Sequence, residues 1–310
     1  MRNKRHMLAF GAALFSANLW ADCNGMQLFA HRGAPGAPEN SSSAIQLAIE
    51  GQWDGVEVDL QRLRSGQWVL HHDPLTGRTT SLSGVSVQDI DKAAWQKVRM
   101  KNRQGLITDE PAPFMKEILD KLRTRTTKTF NAEIKQESAC GDVQKLVREL
   151  TNGLPQGNWF LTSISRRSLA CARQIDPKRY YGIIVLDPKS IATQAEQKSR
   201  WAAKIYPSAQ SPIVDKHWIE QLTAQISPPV GIHADVFTVE VNPSMLTDAT
   251  SAGVPVLTYS LNGDGEHARI LKAQMLRSNF LPSGAIIDGD PSSFCKALGF
   301  QLTTASSMAK

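Results

Sequence analysis

The chain has 310 residues, of which 41% are hydrophobic and 21% charged; this excludes a disordered polypeptide, and 21 Gly and 16 Pro give no support to a collagen-like repeat. The mean hydropathy is −0.27 and the sequence contains only one long apolar run, which excludes a protein with several membrane spans. The formal net charge of +6 raises the question of a nucleic-acid or anionic-membrane partner.

The first 21 residues have the layout of a secretory signal peptide. Arg2, Lys4 and Arg5 precede an almost wholly apolar stretch at 7–20, and Ala21 follows it. The apolar stretch is too short to span a bilayer, which takes about 20 residues. We therefore predict cleavage after Ala21, a periplasmic or secreted protein, and no stable membrane insertion after cleavage. A buried N-terminal helix is the alternative interpretation of this segment.

The predicted cleavage changes the charge argument. The signal peptide carries three basic and no acidic residues, so 32 Lys and Arg remain against 29 Asp and Glu, a net charge of +3. The remaining sequence has no run of basic residues that would follow a phosphate backbone. We therefore predict that nucleic acid is not a partner.

Four cysteines follow the signal peptide, at Cys23, Cys140, Cys171 and Cys295. Their spacing does not match the C-x-x-C motif of a zinc or redox site. An oxidising compartment favours disulfides, and four cysteines allow three pairings. We predict the pairs Cys23–Cys295 and Cys140–Cys171, with four buried free thiols as the alternative.

Short β-rich runs alternate with amphipathic stretches along the chain. The predicted strands are Gln27–Ala30, Gly55–Leu60, Trp68–His71, Thr129–Lys135, Trp159–Ser163, Tyr181–Leu186, Val236–Val241, Val256–Ser260 and Ala285–Ile287. The predicted helices are Ser42–Glu50, Phe114–Leu122, Val143–Leu150, Ser168–Gln174 and Glu266–Met275. For Asp187–Pro229 we expect a helix, an irregular segment and a second helix, with room for one further strand.

This alternation predicts a single α/β domain over residues 22–310. About eight strand–helix repeats in a domain of this size fit a TIM (β/α)8 barrel better than an open sheet. The sequence has no G-x-G-x-x-G motif after the first strand and no Walker A motif, which excludes the commonest nucleotide-binding α/β proteins.

Acidic residues on two strands predict a cation site. In a TIM barrel the working residues lie at the C-terminal ends of the strands. Glu57 and Asp59 share one face of their strand because side chains alternate, and Glu133 shares a face with Lys135 on a later strand. Buried carboxylates are unfavourable without a positive partner. An all-oxygen set from Glu57, Asp59 and Glu133 suits one divalent cation, Ca²⁺ or Mg²⁺, and does not suit a zinc site built on Cys or His.

Basic residues and histidines end the neighbouring strands. Arg32 and Lys135 supply positive charge for an anionic substrate, and Arg32 can bind phosphate through two N–H groups. His31 and one of His71 and His72 are candidates for the general acid and the general base. A cation, two basic residues and two histidines together indicate hydrolysis of a phosphate ester.

The order and spacing of these residues resemble the glycerophosphodiester phosphodiesterase family. The matching motifs are His31-Arg32-Gly33, Pro38-Glu39-Asn40, Glu57-x-Asp59, His72-Asp73, Gly77-Arg78-Thr79-Thr80, Asn131-Ala132-Glu133-Ile134-Lys135 and Tyr259-Ser260-Leu261-Asn262. The resemblance covers residues 28–291, and its first half is the more specific.

The resemblance implies roles for particular residues. Glu57, Asp59 and Glu133 would bind the metal, and Arg32 and Lys135 would face the phosphate. His31 and His72 would act as acid and base, since His72 precedes Asp73, and His71 is then left to packing.

The resemblance also locates the substrate pocket and two departures from the family. The segment of about 72–110 would be the family's insertion, which caps the glycerol pocket. Tyr259 stands where the family usually has Trp, and would still provide an aromatic wall. The motif Gly284–Pro291 is one residue longer than the family's and lacks its Thr, so we assign no role to Asp288 or Asp290 from the sequence.

The activity implied is metal-dependent hydrolysis of small glycerophosphodiesters, such as glycerophosphocholine or glycerophosphoethanolamine, to sn-glycerol 3-phosphate and an alcohol. One alternative is a lipid phosphodiesterase similar to lysophospholipase D or sphingomyelinase D, which should expose an apolar or basic rim. The second alternative is a solute-binding barrel without catalytic activity.

Overall fold

Eight parallel strands close into a barrel in the computed structural model, which describes residues 23–123, 128–190, 210–261 and 265–302. The strands are β1 (Gln27–Ala30), β2 (Gly55–Arg62), β3 (Trp68–Leu70), β4 (Arg99–Lys101), β5 (Ile107–Pro111), β6 (Thr129–Ile134), β7 (Trp159–Ser163), β8 (Tyr181–Val185), β9 (Val230–Asp235), β10 (Val256–Leu261) and β11 (Gly284–Ile287). The order around the barrel is β1-β2-β6-β7-β8-β9-β10-β11, and β11 pairs with β1 to close it. The predicted TIM barrel is confirmed.

Helices surround this barrel and pack on it through one apolar face. They are α1 (Ser42–Glu50), α3 (Met115–Leu122), α4 (Cys140–Gly153), α5 (Arg166–Ile175), α6 (Lys216–Ile226), α7 (Val236–Val241), α8 (Met245–Ser251), α9 (Gly265–Ser278) and α10 (Pro291–Leu298). The short helix α2 (Lys92–Trp95) lies apart from them, since its Trp95 is buried in a separate apolar cluster. Ser41, Ser165, Asp215 and Asp290 cap four of them, since each side chain accepts a hydrogen bond from a backbone N–H in the first turn.

The alternation of β2 separates apolar from acidic side chains. Val56, Val58 and Leu60 belong to the large buried cluster shared with the helices. Glu57 and Asp59 take the alternate positions, and both are buried. The apolar filling of the barrel interior includes Phe29, Phe160 and Ile286. The pattern that predicted two carboxylates on one face therefore places both inside the barrel.

A small subdomain interrupts the barrel between β2 and α3. It contains β3, which runs antiparallel to β2, a 3₁₀ turn at Val87–Asp89, helix α2 and the β4–β5 hairpin. It has its own apolar core, formed by Leu63, Val69, Val87, Ile90, Trp95, Val98, Met100, Ala112 and Phe114. This subdomain includes the segment 72–110 in which we predicted an insertion.

The prediction of a strand at Val236–Val241 is wrong. These residues form α7, and the strand is β9, which directly precedes them and pairs with β8 and β10. Asp235 ends the strand and caps the helix, because its Oδ1 accepts the backbone N–H of Phe237 at 3.0 Å. Four of the six residues are β-branched (Val236, Thr238, Val239 and Val241), a preference that the barrel pairing overrides. In the described part of Asp187–Pro229 there is a helix, α6, and no strand.

Two disulfides join distant elements. Cys23 is bonded to Cys295 on α10 with Cα atoms 5.7 Å apart, and Cys140 on α4 is bonded to Cys171 on α5 with Cα atoms 5.3 Å apart. These are the two pairs that the sequence analysis chose.

The predicted signal peptide, residues 1–21, lies outside the described residues. Among the residues that are described, the helices are all too short or too polar to span a membrane.

Candidate active site

Three carboxylates converge at the C-terminal end of the barrel. Glu57 and Asp59 come from β2 and Glu133 from β6, and the strand register places Asp59 directly opposite Glu133. One ligand oxygen from each lies within 4.8 Å of the others. Glu57 Oε1 is buried without a hydrogen-bond partner among the described residues. Three oxygen donors with an unsatisfied buried atom fit a hard divalent cation.

The electrostatics of the cluster differ between its members. Burial and then the charges of Asp59 and Glu133 raise the pKa of Glu57 well above its usual range. Burial also acts to raise the pKa of Asp59, but the charges of protonated His72, Lys135 and Arg32 outweigh it, and the pKa falls. The surroundings therefore favour the ionised form of Asp59 and disfavour the ionised form of Glu57, which a further positive charge would stabilise.

Arg32 and Lys135 supply positive charge directly to the cluster. Lys135 Nζ lies 2.7 Å from Glu133 Oε1 and 3.5 Å from Asp59 Oδ1. Arg32 Nε lies 3.2 Å from Asp59 Oδ2, and the Arg32 backbone N–H donates to Glu57 Oε2 at 3.0 Å. Both residues that we expected to face a phosphate thus border the carboxylates that would hold the cation.

The turn after β1 holds Arg32 in a strained but well-fixed conformation. Arg32 has φ of +58° and Gly33 has φ of +90°. A Cβ atom on Gly33 would lie 2.6 Å from the Cβ of Ala44, so α1 leaves room only for glycine here. Asn40, later in the same loop, donates to Asp59 Oδ2 at 2.6 Å and accepts the Asp59 backbone N–H at 3.0 Å. The loop therefore orients the metal-ligand candidate as well as the arginine.

Each candidate acid–base histidine is held by an aspartate. His31 Nδ1 lies 2.6 Å from Asp288 Oδ1, and His72 Nδ1 lies 2.8 Å from Asp73 Oδ1. Burial lowers the pKa of His72 to about 4 even though the charge of Asp59 acts to raise it. With Nδ1 bound to a carboxylate, Nε2 is the nitrogen of each ring left for a substrate, and Nε2 of His31 lies 3.3 Å from the Ser260 hydroxyl oxygen.

His71 has a different environment from its neighbour. It is buried, its Nε2 lies 3.4 Å from the Leu75 carbonyl oxygen, and its ring meets Trp95 edge to face at 6.0 Å. Burial lowers its pKa. This environment agrees with the packing role that the resemblance implied.

A pocket opens beside the carboxylates and encloses about 280 Å³ of empty space, part of it open to solvent. Of the residues that the sequence singled out, His31, Glu57, Glu133 and Tyr259 line it. The Tyr259 hydroxyl donates to the Val185 carbonyl at 2.9 Å, so its ring is fixed as a wall. The pocket is lined as well by residues that had no role in the sequence-based prediction: Asn131, Thr162, Ile184, His233 and Ile286.

His233 is the most polar of the missed residues. It is buried in the barrel interior, with Nε2 3.2 Å from the Tyr180 hydroxyl, and burial lowers its pKa to about 3. The His233 ring is therefore a neutral imidazole. Beside it in the pocket wall, the Thr162 hydroxyl donates to the Asn131 side-chain oxygen at 3.1 Å. Strand alternation around Gly231-Ile232-His233 could have placed this side chain inward, had β9 been predicted.

Asp288 is the second missed residue. The departures in the C-terminal motif left it without a role, yet its carboxylate binds His31. Burial acts to raise its pKa, but the charge and hydrogen bond of His31 outweigh burial and lower it. The contact joins positions 257 residues apart in the sequence, so local pattern gave no signal for it.

Comparison with known proteins identifies similar chains. Residues 31–275 match the model of the glycerophosphoryl diester phosphodiesterase family. An uncharacterised protein of Bacillus subtilis is 26% identical over 61% of this chain and 76% of its own length. A glycerophosphodiester phosphodiesterase of Bacillus altitudinis is 24% identical over 52% of this chain and 67% of its own length.

Solved structures share the fold. A phosphodiesterase of Oleispira antarctica, solved in complex with the product sn-glycerol-3-phosphate, superposes with a TM-score of 0.63 at 22% identity. The superposition covers 88% of this chain and 96% of that one.

Proposed function

The chain belongs to the glycerophosphoryl diester phosphodiesterase family, and on that premise we propose that it hydrolyses small glycerophosphodiesters with the help of one divalent cation. It is a phosphoric diester hydrolase with glycerophosphodiester phosphodiesterase activity. Candidate substrates are glycerophosphocholine and glycerophosphoethanolamine, which would yield sn-glycerol 3-phosphate and an alcohol. The convergence of Glu57, Asp59 and Glu133 with two aspartate-bound histidines carries this proposal.

Glu57, Asp59 and Glu133 would hold the cation, Ca²⁺ or Mg²⁺, since both prefer oxygen ligands. When bound, the cation supplies positive charge that stabilises the negative charge developing on the phosphate. Arg32 and Lys135 add to that charge from the chain itself and orient the phosphate oxygens by hydrogen bonding. The contact of Arg32 with Asp59, and that of Lys135 with Glu133, which lines the pocket, support this role.

The histidines provide the proton transfers. One of His31 and His72 accepts the proton of the nucleophile, which is either water or the glycerol 2-hydroxyl, as its oxygen bonds to phosphorus. The other histidine donates a proton to the oxygen of the leaving alcohol as the phosphorus–oxygen bond breaks. If the 2-hydroxyl attacks, a water molecule then opens the resulting cyclic phosphate to give glycerol 3-phosphate. Asp288 and Asp73 fix the rings with Nε2 facing the substrate. Tyr259 is proposed as a side wall for the glycerol portion, because it lines the pocket with its hydroxyl already bound.

The product is supported by the Oleispira antarctica neighbour, which was solved with sn-glycerol-3-phosphate bound. We also propose that residues 1–21 act as an export signal and that the protein works in the periplasm or outside the cell as a single-domain enzyme. The two disulfides support an oxidising compartment.

A lipid phosphodiester is the second candidate substrate. Leu75, Ile164 and Leu186 are exposed by 54%, 49% and 43%. Ile164 and Leu186 directly follow β7 and β8, at the end of the barrel that carries the candidate site, and Leu75 lies in the loop after His72. These side chains favour contact with an acyl chain. The non-catalytic alternative has no such support, since the chain belongs to an enzyme family.

The test is a phosphodiesterase assay on glycerophosphocholine, glycerophosphoethanolamine and lysophosphatidylcholine, with Ca²⁺, Mg²⁺ or EDTA. We expect cation-dependent release of glycerol 3-phosphate from the soluble substrates. His31→Ala and His72→Ala should each lower kcat by roughly 10²–10⁴-fold. The exposed His217 on α6 provides the control, because His217→Ala should leave kcat unchanged. Normal turnover by both site variants contradicts the mechanism, and preference for the lysolipid selects the second candidate.

A further inference from the structure

One arginine bridges the two loops that carry the candidate acid–base and phosphate-binding groups. His72 lies on the loop after β3, in the subdomain, whereas Arg32 lies on the loop after β1, in the barrel. Arg78 lies between them, with its side chain one-third exposed. In the sequence Arg78 is distinguished only as part of the motif Gly77-Arg78-Thr79-Thr80, and it takes no part in the proposed proton transfers or phosphate binding.

The contacts of Arg78 form a continuous chain across the mouth of the barrel. Its Nε donates to Asp73 Oδ2 at 2.6 Å, and Asp73 Oδ1 in turn lies 2.8 Å from His72 Nδ1. On its other side Arg78 donates to both carboxylate oxygens of Glu39, with Nη1 at 2.8 Å from Oε2. Glu39 Oε1 also accepts from Arg32 Nη1 at 3.3 Å. Charges alternate in sign from Arg32 through Glu39 and Arg78 to Asp73.

The charges in this chain are mutually stabilised. Burial acts to raise the pKa of Asp73, but hydrogen bonds from His72 and Arg78 outweigh it and the pKa is lowered. Burial acts to lower the pKa of Arg78, but its bonds to Glu39 and Asp73 raise it. The bidentate geometry on Glu39 uses the planar guanidinium, which a lysine ammonium does not reproduce.

The subdomain does not depend on Arg78 for its attachment to the barrel. β3 pairs with β2, and Glu110 accepts the Ser43 backbone N–H at 2.8 Å and the Ser43 hydroxyl at 2.6 Å. The Gln61 side chain binds the carbonyl oxygens of residues 71, 72 and 73, which fixes the backbone that carries His72. What is left for Arg78 to control is the orientation of the Asp73 and Glu39 side chains.

We propose that Arg78 is a positioning residue, which sets the His72 ring relative to the Arg32 guanidinium through Asp73 and Glu39. This inference rests on the proposed function, in which His72 transfers a proton and Arg32 binds the phosphate. An acid–base group and a phosphate-binding group on separate loops must keep a fixed separation for the transfer, and a misplacement of about 1 Å can cost roughly 100-fold in rate. The clamp fixes that separation from outside the substrate pocket.

The experiment compares Arg78→Ala, Arg78→Lys and the matched control Arg64→Ala in the glycerophosphocholine assay. Arg64 belongs to the same subdomain and pairs with Asp91 at 3.3 Å, but it lies outside this chain of contacts. We expect Arg78→Ala to lower kcat roughly 10- to 100-fold with a smaller change in KM. Arg78→Lys should lose less, and added ethylguanidinium should restore part of the activity of Arg78→Ala. Arg64→Ala should match the wild type.

A double variant tests whether Glu39 and Arg78 act together. If they form one clamp, Glu39→Gln combined with Arg78→Ala loses less activity than the product of the two single losses, and any loss beyond that of Arg78→Ala reflects the contact of Glu39 with Arg32. Losses that multiply, or an Arg78→Ala enzyme with kcat within twofold of wild type, overturn the inference. An Arg78→Ala protein with a lower melting temperature whose activity ethylguanidinium does not restore also overturns the inference. If Arg78→Ala does not fold, Arg78→Lys is used for the same comparison. The proposed function is tested separately: it is supported in each case if the wild type hydrolyses the substrate and His72→Ala does not.

Discussion

Glutamine in place of Glu57 should separate two properties of the carboxylate cluster, its internal repulsion and its capacity for a cation. The ligand oxygens of Glu57, Asp59 and Glu133 lie within 4.8 Å of one another. Two unit charges at that distance repel by about 3.5 kcal/mol at an effective dielectric constant of about 20. The raised pKa of Glu57 reflects burial first and then this repulsion.

The substitution removes the charge and keeps the shape. An amide oxygen can still accept the Arg32 backbone N–H, which now lies 3.0 Å from Glu57 Oε2. Because Arg32 and Lys135 already offset part of the repulsion, we expect Glu57→Gln to gain about 2 kcal/mol in the free energy of unfolding in EDTA. A raised native pKa destabilises the fold as pH rises through it, so the gain should be present at neutral pH and fade in acid.

A bound cation should reverse this order of stability and make the wild type more stable than Glu57→Gln. At a hundred times its dissociation constant, a bound cation stabilises the native state by about 2.7 kcal/mol, which corresponds to a rise of roughly 4–5 °C in melting temperature for a domain of this size. Calorimetry with Ca²⁺ or Mg²⁺ should show this rise for the wild type and not for Glu57→Gln. Glu137→Gln, at an exposed pair with Arg167, is the control and should respond like the wild type. A Glu57→Gln protein that is less stable in EDTA than the wild type, or that keeps the full cation response, refutes the reasoning.

Two further predictions concern stability away from the cation. Replacing Cys140 and Cys171 by Ser opens a bridge between positions 31 apart and should cost about 3.7 kcal/mol in the loop-entropy model, measured by urea unfolding; an unchanged midpoint contradicts it. Burial, more than the charge of Asp187, raises the pKa of Asp235 to about 6, so its native carboxyl resists ionisation and stability is lost as pH rises through 6. Asp235→Asn should therefore gain about 3 kcal/mol at most over the wild type at pH 7.5 and nothing at pH 3.5, and equal melting temperatures at pH 7.5 would contradict this.

The sequence predicted most of the barrel because side-chain alternation and strand length are local properties. Glu57 and Asp59 share a face of β2 by a period of two, and the pairing of β2 with β6 then brings Glu133 opposite Asp59. The error at Val236–Val241 came from the same local rule. Its β-branched residues favour a strand, but only β9 can pair with both β8 and β10, and Asp235 starts a helix at the end of that strand.

The missed parts of the site depend on contacts between distant positions. Asp288 reaches His31 across the closure of β11 on β1, and Arg78 reaches Glu39 across 39 positions from a different loop. Neither contact has a periodic signature in the sequence. His233 was missed for a simpler reason, since its strand was assigned six residues too late.

His31 and His72 each bind an aspartate through Nδ1, but the surroundings of the two aspartates differ and so distinguish the two histidines. The charge of Asp73 is offset by two hydrogen bonds from Arg78, which leaves it less able to stabilise a positive imidazole on His72. Burial also lowers the pKa of His72 to about 4, so this ring is neutral at neutral pH and can accept a proton, while the same burial makes it a weak base. We infer that His72 is the general base and that His31, bound to Asp288, donates the proton to the leaving alcohol.

A change of leaving group tests this assignment, because p-nitrophenolate departs without a proton. On glycerophospho-p-nitrophenol, His31→Ala should recover most of the activity that it lacks on glycerophosphocholine, whereas His72→Ala should stay impaired on both substrates by roughly 10²-fold or more. Activities are compared as kcat/KM at a fixed cation concentration. Recovery by His72→Ala instead would reverse the two roles. Equal impairment of both variants on both esters would show that proton donation to the leaving group does not limit the rate, and the assignment would fall with it.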